Sequence, residues 1–599
     1  MTVQQKAFKS RRRYNQWVTN QTLEDFALRY TPVSARRWSA KRVVMTALSA
    51  ITFLALEAIG GALTLTYGFN YVGVAVILVS IIIFALSMPI AINAAKNGLD
   101  IDLLTRGAGF GYLGSTVTSL IYASFTFIFF ALEAAIMAMA LNMLFGLPLH
   151  FGYLIGSVVV IPLVTWGFTF ISRFQQFTQF CWLALQLLPF IFILIREHHV
   201  LQNWIDFPGF ITARDGSFDF LQLGAVCSVL LSLVSQVGEQ VDQVRFLPKP
   251  QHPARWRWYG AVIAAGPGWV VIGAIKILLG SFLAVLAFNY GLGAELAREP
   301  THMYLVAFSY VTHSSSTLLA LTGIFVVLSQ LKINVTNAYA GSIAWSNFFL
   351  RLTHRHPGRV VWLFFNVGIA LLLMELGVYR VFEDILGIYA VAATSWLGSV
   401  VADLTLNKWL KLRPAEIEFR RAYLYDINPV GIGSMTLAML CGLSAWMGWL
   451  GHPLQVFASM LSLCLTFITA PFIAWLTRGR YYFSRTPVQV TATECCVCGN
   501  YFEKPEMSYC PFYQGSICSL CCSLDVQCND TCKPHARYTE QASKLIGIFI
   551  KEKSLRKIDP RVWSFISILL LFSSVIGLLL MLVFAQMRDE FGSEQDLLA

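Results

Sequence analysis

An all-α, polytopic membrane protein is the fold class that this sequence predicts, and three observations predict it. Hydrophobic residues fill 56% of the 599 positions, charged residues only 13%, and the mean hydropathy is +0.61. Soluble domains carry roughly a quarter charged residues, so this composition suits a chain that lives in lipid. Twelve apolar runs follow one another, at 43–67, 70–95, 112–143, 150–171, 177–196, 219–246, 258–289, 317–348, 360–378, 381–406, 429–450 and 453–476. Each approaches the length that a helix needs to cross a bilayer. Runs 1 and 6 each place a carboxylate beside glycine at membrane depth, five spans apart, which predicts an inverted five-plus-five repeat with interrupted helices.

The first run contains Ala55-Leu56-Glu57-Ala58-Ile59-Gly60-Gly61. A charge in the middle of a span costs roughly 2.5 kcal/mol or more on insertion scales. Each glycine weakens a helix by about 1 kcal/mol relative to alanine. Glu57, Gly60 and Gly61 therefore fit a helix break lining a cavity. They fit equally well a packing seam, with Glu57 hydrogen-bonded to a neighbouring span. The sixth run contains Ser235-Gln236-Val237-Gly238-Glu239-Gln240-Val241-Asp242. Gly238 is the expected break there, and Gln236 and Glu239 are the expected cavity residues. Asp242 shares a face with Glu239 and precedes Arg245 by three positions, which suits a structural, gating or coupling charge. Lys276 in run 7 lies deep and is unassigned; an ion pair with Glu57 is one option, which spacing does not support. Gly266-Pro267-Gly268 reads as a kink.

Loop charges orient the chain. The connections at 173, 245–257, 351–359, 408–421 and 478–485 are basic and fall on one side with the basic arm at 1–42, so the N-terminus is expected in the cytoplasm. The arm has no apolar segment with a cleavage site, so the first span is expected to be retained. The net charge of +11 sits mainly in these segments and implies no nucleic-acid partner. Beyond run 12 a thirteenth helix is expected at 562–587, followed by a short acidic tail at 588–599.

The segment at 490–540 has a different chemistry, because residues 495–535 hold nine of the thirteen cysteines. Cys495-x2-Cys498 and Cys518-x2-Cys521 are separated by nineteen residues, a spacing typical of zinc sites. Four thiolates close a tetrahedral structural site for Zn2+. Cys510, Cys522, Cys528, Cys532 and His535 offer a second set. The alternatives are an iron–sulfur cluster, free or redox-active thiols, and disulfides, the last disfavoured by a reducing cytosol.

Three stretches carry a resemblance. They are Leu23-Glu24-Asp25-Phe26-Ala27-Leu28-Arg29-Tyr30, Thr105-Arg106-Gly107-Ala108-Gly109-Phe110-Gly111 and Asn334-Val335-Thr336-Asn337-Ala338-Tyr339. On these the chain resembles the nucleobase–cation symporters, the purine–cytosine permease relatives. It resembles more closely the permease-like N-terminal half of bacterial hybrid sensor histidine kinases, in which a cysteine-rich segment also follows. The resemblance implies a LeuT-type fold of ten core helices plus two, in the bacterial inner membrane. It also implies a flat heterocycle, a purine, pyrimidine, hydantoin or allantoin, held between spans 1, 3, 6 and 8.

Carried onto this chain, the resemblance points to Phe129 and Glu133 in span 3, where the family has an aromatic residue and a glutamine. At i and i+4 the two share a helix face, so a ring can stack on a heterocycle while a carboxylate accepts its N–H groups. Glutamate in place of glutamine adds a group able to take up a proton; the bland reading is a buried Glu133 paired with Lys332 or another polar residue. In span 8 the substrate-side asparagine corresponds to Asn334, with Asn337 one turn on. Sodium-binding relatives have hydroxyls at the two positions before it, and here stand Lys332 and Ile333. An ammonium there repels a cation, so coupling to H+ rather than Na+ is expected, unless Lys332 snorkels to the interface. No nucleotide loop, nucleophile constellation or catalytic metal motif points to an enzyme. The leading reading is a secondary transporter. The alternative is a non-transporting ligand sensor that passes its state to a cytoplasmic signalling partner, disfavoured by the lack of any kinase motif after the last span.

Overall fold

The computed structural model describes residues 30–541, apart from 198, 212–217, 251–254, 378–381, 489, 525–526, 529 and 539. Residues 1–29 of the arm, the expected helix at 562–587 and the tail at 588–599 lie outside the described residues.

All twelve apolar runs are helical. Span 1 is two half-helices, Ala40–Ser49 and Ala55–Tyr67. Span 2 is Phe69–Asn97, span 3 is Ser115–Phe145, span 4 is Leu149–Val158 with Val160–Thr165, and span 5 is Phe168–Arg196. Span 6 runs from Phe220–Leu231 through a tighter turn, Ser232–Ser235, into Gln236–Val244. Span 7 comprises Arg255–Ala265 and Trp269–Asn289, interrupted at the expected Gly-Pro-Gly. Span 8 is Ser315–Thr353, span 9 is Arg359–Glu375, span 10 is Phe382–Ala402, span 11 is Pro429–Trp446 and span 12 is Ala458–Leu476. Among the described residues, nine helices are long and apolar enough to cross a membrane unaided. Span 1 falls short because it is cut in two, and spans 4 and 9 are shorter. The chain is a multi-pass membrane protein.

The packing carries the repeat. The second half of span 1 lies on span 7, and the second half of span 6 touches span 2. The first half of span 1 touches span 5, and the first half of span 6 touches span 10. Each contact in one half thus has its counterpart five spans on, as two inverted halves require. Spans 3, 4, 8 and 9 pack on one another as a second group, and spans 10, 11 and 12 form a third.

The helix breaks are not where glycine content places them. Gly60 and Gly61 sit inside the regular helix Ala55–Tyr67, and the break lies upstream at 50–54. A Cβ on Gly60 would come 2.0 Å from the Ile277 carbonyl oxygen, and one on Gly280 would come 2.2 Å from the Glu57 backbone. These glycines let spans 1 and 7 touch backbone to backbone, which corrects their assignment as break residues. Gly238 is likewise helical, with its missing Cβ filled by the Tyr122 ring, and the span 6 turn falls at Ser232–Ser235 instead.

Buried charges tie the elements on the face that carries the N-terminal segment. Asp102 binds Arg351 and Ser119, and Arg106 donates to Asn347 at 3.0 Å, so the 101–110 connection, span 3 and the end of span 8 are held together.

Gly60→Ala should lower the stability of the purified protein by about 2 kcal/mol, in the range for overpacking a tight contact. Gly260→Ala, with nothing within 4 Å of the new methyl, should not. Thermal unfolding in detergent, followed by size-exclusion fluorescence, measures both.

Candidate functional site

A helix that stops inside a membrane exposes amides that lipid cannot satisfy. At the span 1 break those of Leu54 and Ala55 find side chains on facing spans. Leu54 N donates to Gln330 Oε1 at 3.4 Å, and Ala55 N donates to Glu133 Oε1 at 3.3 Å. Thr52 Oγ1 donates to the Ser329 carbonyl at 2.8 Å. Span 3 and span 8 therefore hold the break open with polar groups, and both are long straight helices able to fix them.

Phe129 stands one turn before Glu133, with Phe53 of the break edge-on at 6.4 Å and Phe125 at 4.5 Å between ring centres. Glu133 is fully buried, and its Oε2 makes no close hydrogen bond among the described residues, with the Gln330 side chain as a polar neighbour. Gln330 Nε2 and Asn334 Nδ2 on span 8 and Glu239 Oε1 on span 6 likewise make no close hydrogen bond among the described residues. Buried polar groups of this kind are costly unless something bonds them. Asn337 Nδ2 reaches Asn334 Oδ1 at 3.4 Å, and Gln236 Nε2 donates to Glu239 Oε2 at 2.8 Å.

Glu57 is elsewhere. It faces span 7, where Lys276 Nζ binds Oε1 at 2.5 Å, and Tyr304 donates to the same oxygen at 3.2 Å. The expected cavity carboxylate is thus half of a buried ion pair, made possible by the Gly60 and Gly280 seam. The pair still lies within electrostatic range of Glu133.

A small cavity opens between the first half of span 1, span 5, span 6 and span 8, lined by Thr46, Phe168, Gln175, Glu239, Asp242 and Thr336 among others. Glu239 and Asp242 face it together. Phe129 and Glu133 do not line it. Tyr122 donates to Asp242 Oδ2 at 2.9 Å; Arg245 reaches the Asp242 carbonyl at 3.2 Å, Asp100 at 3.5 Å and Tyr339 at 3.0 Å. Lys332 is buried rather than snorkelling. Its Nζ donates to the Gln175 carbonyl and to Thr178 Oγ1, both at 3.0 Å, so it is held by span 5 rather than by Glu133.

Gln330 was the main omission from the sequence-predicted residues. Its signal was its place in the polar string Ser329 to Asn337 within an apolar run. Tyr304 lies in a helix between spans 7 and 8, Pro300–Ser309, and no sequence pattern marked it.

The cysteines form a second centre. Cys495 and Cys498 flank a turn closed by the Glu494–Tyr501 bridge. Cys518 ends strand β2 (Gly515–Cys518), paired antiparallel with β1 (Met507–Cys510), and Cys521 lies in the following helix, Ser519–Leu524. The four sulfurs lie within 4.8 Å of one another and are the one such group of metal-ligating side chains among the described residues. Hydrogen bonds from the Cys498, Cys518 and Cys521 thiols hold Cys495 far below the ordinary thiol range. Cys510, Cys522, Cys528 and Cys532 form no second group of that kind. His535 belongs to a separate compact unit, 533–599, within which its backbone N–H donates to Glu540 at 2.5 Å.

No protein-family model matches the sequence, and no curated protein matches it. Fold and breaks define a multi-pass membrane protein of the LeuT type, and solved structures agree. The chain is similar to Mhp1, a nucleobase-cation-symport-1 family transporter, in a closed conformation with bromovinylhydantoin bound: TM-score 0.55 at 16% identity, covering 74% of this chain and 95% of that one. Inward-facing Mhp1 gives 0.54 at 17% identity, covering 72% and 91%. A Na+-coupled sialic acid symporter in its substrate-bound outward-open state gives 0.52 at 14% identity, covering 77% and 94%.

Lys276→Met leaves the Glu57 carboxylate buried without its cation and should cost about 3–5 kcal/mol. The double variant with Glu57→Gln should recover much of that loss, read as the yield of monodisperse protein and its melting temperature.

Proposed function

We propose that the protein is a secondary active transporter of a flat, nitrogen-rich heterocycle, a purine, pyrimidine or hydantoin-like compound. The observation that carries this reading is the set of buried polar atoms of Glu133, Gln330 and Asn334 that make no close hydrogen bond, gathered on the spans that face the span 1 break, with Phe129 one turn from Glu133. A planar ligand with N–H and C=O edges supplies bonds to all three and a face for the ring. The fold shared with nucleobase and sialic acid symporters supports transport. The positive-inside rule supports a cytoplasmic N-terminus in a bacterial inner membrane.

Proton coupling fits the residues better than sodium coupling. Lys332 and Ile333 supply no free oxygen to a cation, and Glu133 and Glu239 are groups that exchange protons. Glu239 and Asp242 face the small cavity, a route for a proton between the break and one face of the membrane.

Uptake of labelled uracil, cytosine, adenine, hypoxanthine, uric acid, allantoin and hydantoin into proteoliposomes tests this reading, with binding measured in parallel. One compound should accumulate under an inwardly directed proton gradient without sodium. Glu133→Ala should abolish uptake, and Phe129→Ala should weaken binding about tenfold, equivalent to roughly 1.4 kcal/mol of lost stacking. Stimulation by sodium would overturn the coupling. Saturable binding without flux under any gradient would overturn transport and make the chain a ligand-sensing module.

A further inference from the structure

We infer that Cys495, Cys498, Cys518 and Cys521 bind one divalent metal ion of thiolate preference, with zinc the best fit, and that the metal-loaded module latches the segment that enters span 1. The latch adds to the transport reading and rests on it only for what the latch controls.

The four sulfurs come from two turns of unlike origin, the 495–498 knuckle and the junction of β2 with its helix. A tetrahedral Zn2+ with Zn–S bonds of about 2.3 Å places its sulfurs about 3.8 Å apart, which a group already within 4.8 Å reaches with small shifts. The supporting bonds of such a site are in place. Cys518 N donates to Cys495 Sγ, and Cys521 N to Cys518 Sγ, both at 3.3 Å. Cys496 N donates to the Ser516 carbonyl at 2.8 Å, tying the knuckle to the hairpin. None of the four is in a disulfide. A segment of roughly 40 residues has too little core to hold its shape without a metal or cross-link. Binding releases the thiol protons, and the free energy of binding becomes folding energy of the module.

What the module holds is specific. Glu503, between the knuckle and β1, accepts from Tyr30 Oη, from Val33 N at 3.0 Å and from Ser34 N at 3.2 Å. Burial opposes its charge, but these bonds outweigh burial and keep the carboxyl below the ordinary glutamate range. The contact is therefore fully formed above that range and is lost as pH falls through the Glu503 pKa. On the other side, Arg421 grips the carbonyls of Cys522 and Ser523 and the Asp530 carboxylate, and Arg420 donates to the Met507 carbonyl at 2.8 Å. The module thus bridges the connection after span 10 and residues 30–34. Six residues further on begins the half-helix Ala40–Ser49, which ends at the 50–54 break and carries Thr46 into the cavity. Releasing Glu503 removes one set of ties on the entry segment. Thr31 N still donates to the Gly98 carbonyl at 2.7 Å and Trp38 still stacks on Phe168 and Phe246, so the half-helix is loosened toward its break rather than detached. The metal keeps that set of ties in place.

The test uses the full chain in lipid nanodiscs. Elemental analysis should find one zinc per chain, lost in Cys518→Ser/Cys521→Ser. Cobalt added to stripped protein should give the thiolate charge-transfer band and the visible bands of a tetrahedral site. Hydrogen exchange then reads the latch. Removing metal should speed exchange of residues 33–49 about tenfold, zinc should reverse it, and Glu503→Ala should reproduce the rise with its metal retained. Protein that holds no stoichiometric metal, or cobalt without the charge-transfer band, overturns the site. Exchange at 33–49 unchanged by stripping and by Glu503→Ala overturns the latch. Neither readout involves flux, so failure here is separate from failure of the transport reading.

Discussion

A helix cannot simply stop in a bilayer. Its freed amides need protein partners, because lipid offers none. In this protein the demand falls on Leu54 and Ala55, and Gln330 and Glu133 meet it from spans 8 and 3. The rest of the architecture follows from that constraint. The two donor-accepting side chains must be held at fixed depth, so they sit on the longest straight helices of the chain, which also pack on each other most extensively. The helices that hold the break are therefore also its walls. A side chain that satisfies a backbone amide with one oxygen has a second oxygen left, the one that the transport reading assigns to the ligand. Structural necessity and ligand chemistry thus share Glu133.

The seam between spans 1 and 7 solves a different problem. A lone carboxylate at this depth would be expensive. Gly60 and Gly280 bring the two backbones close enough for Lys276 to reach Glu57, and the ion pair offsets part of the burial cost of each. The second half of span 1 is thereby fixed to span 7, while its first half is linked to the second only through 50–54 and packs instead on spans 5, 6 and 7. The asymmetry matters mechanically, since one half-helix is anchored by charge and backbone contact and the other by its N-terminal segment and its neighbours.

The sequence announces the broad design in composition and run lengths, which are governed by bilayer thickness and survive any detail of packing. The repeat was legible because a charge beside glycine is rare in a span. The exact breaks were not legible, because glycine has two uses in a membrane helix. It weakens the helix, and it admits a neighbouring backbone or ring. Gly60 and Gly238 serve the second use, and only the position of Ile277 and Tyr122 decides it. Glu57 was misplaced for the same reason: a partner 219 residues away cannot be read from spacing. The cysteine pairs, by contrast, were legible as a group, because two-residue gaps set by knuckle geometry are local.

The cysteine module adds stability to the face where the transmembrane helices have the least to gain from lipid. Beside the Glu503 contacts and the Arg421–Asp530 pair, several of its contacts run from arginine donors to backbone carbonyls, with Arg420, Arg421 and Arg485 reaching Met507, Cys522, Ser523 and Tyr509. Carbonyl acceptors present usable geometry only while the backbone that carries them is fixed. A module of this size, with a two-stranded hairpin and one short helix, gains much of its rigidity from the inferred metal on its four thiols, beside the burial of Val497, Met507, Ile517 and Leu520. Under the metal-site inference, the state of those sulfurs therefore governs how firmly the connection after span 10 is bridged to residues 30–34.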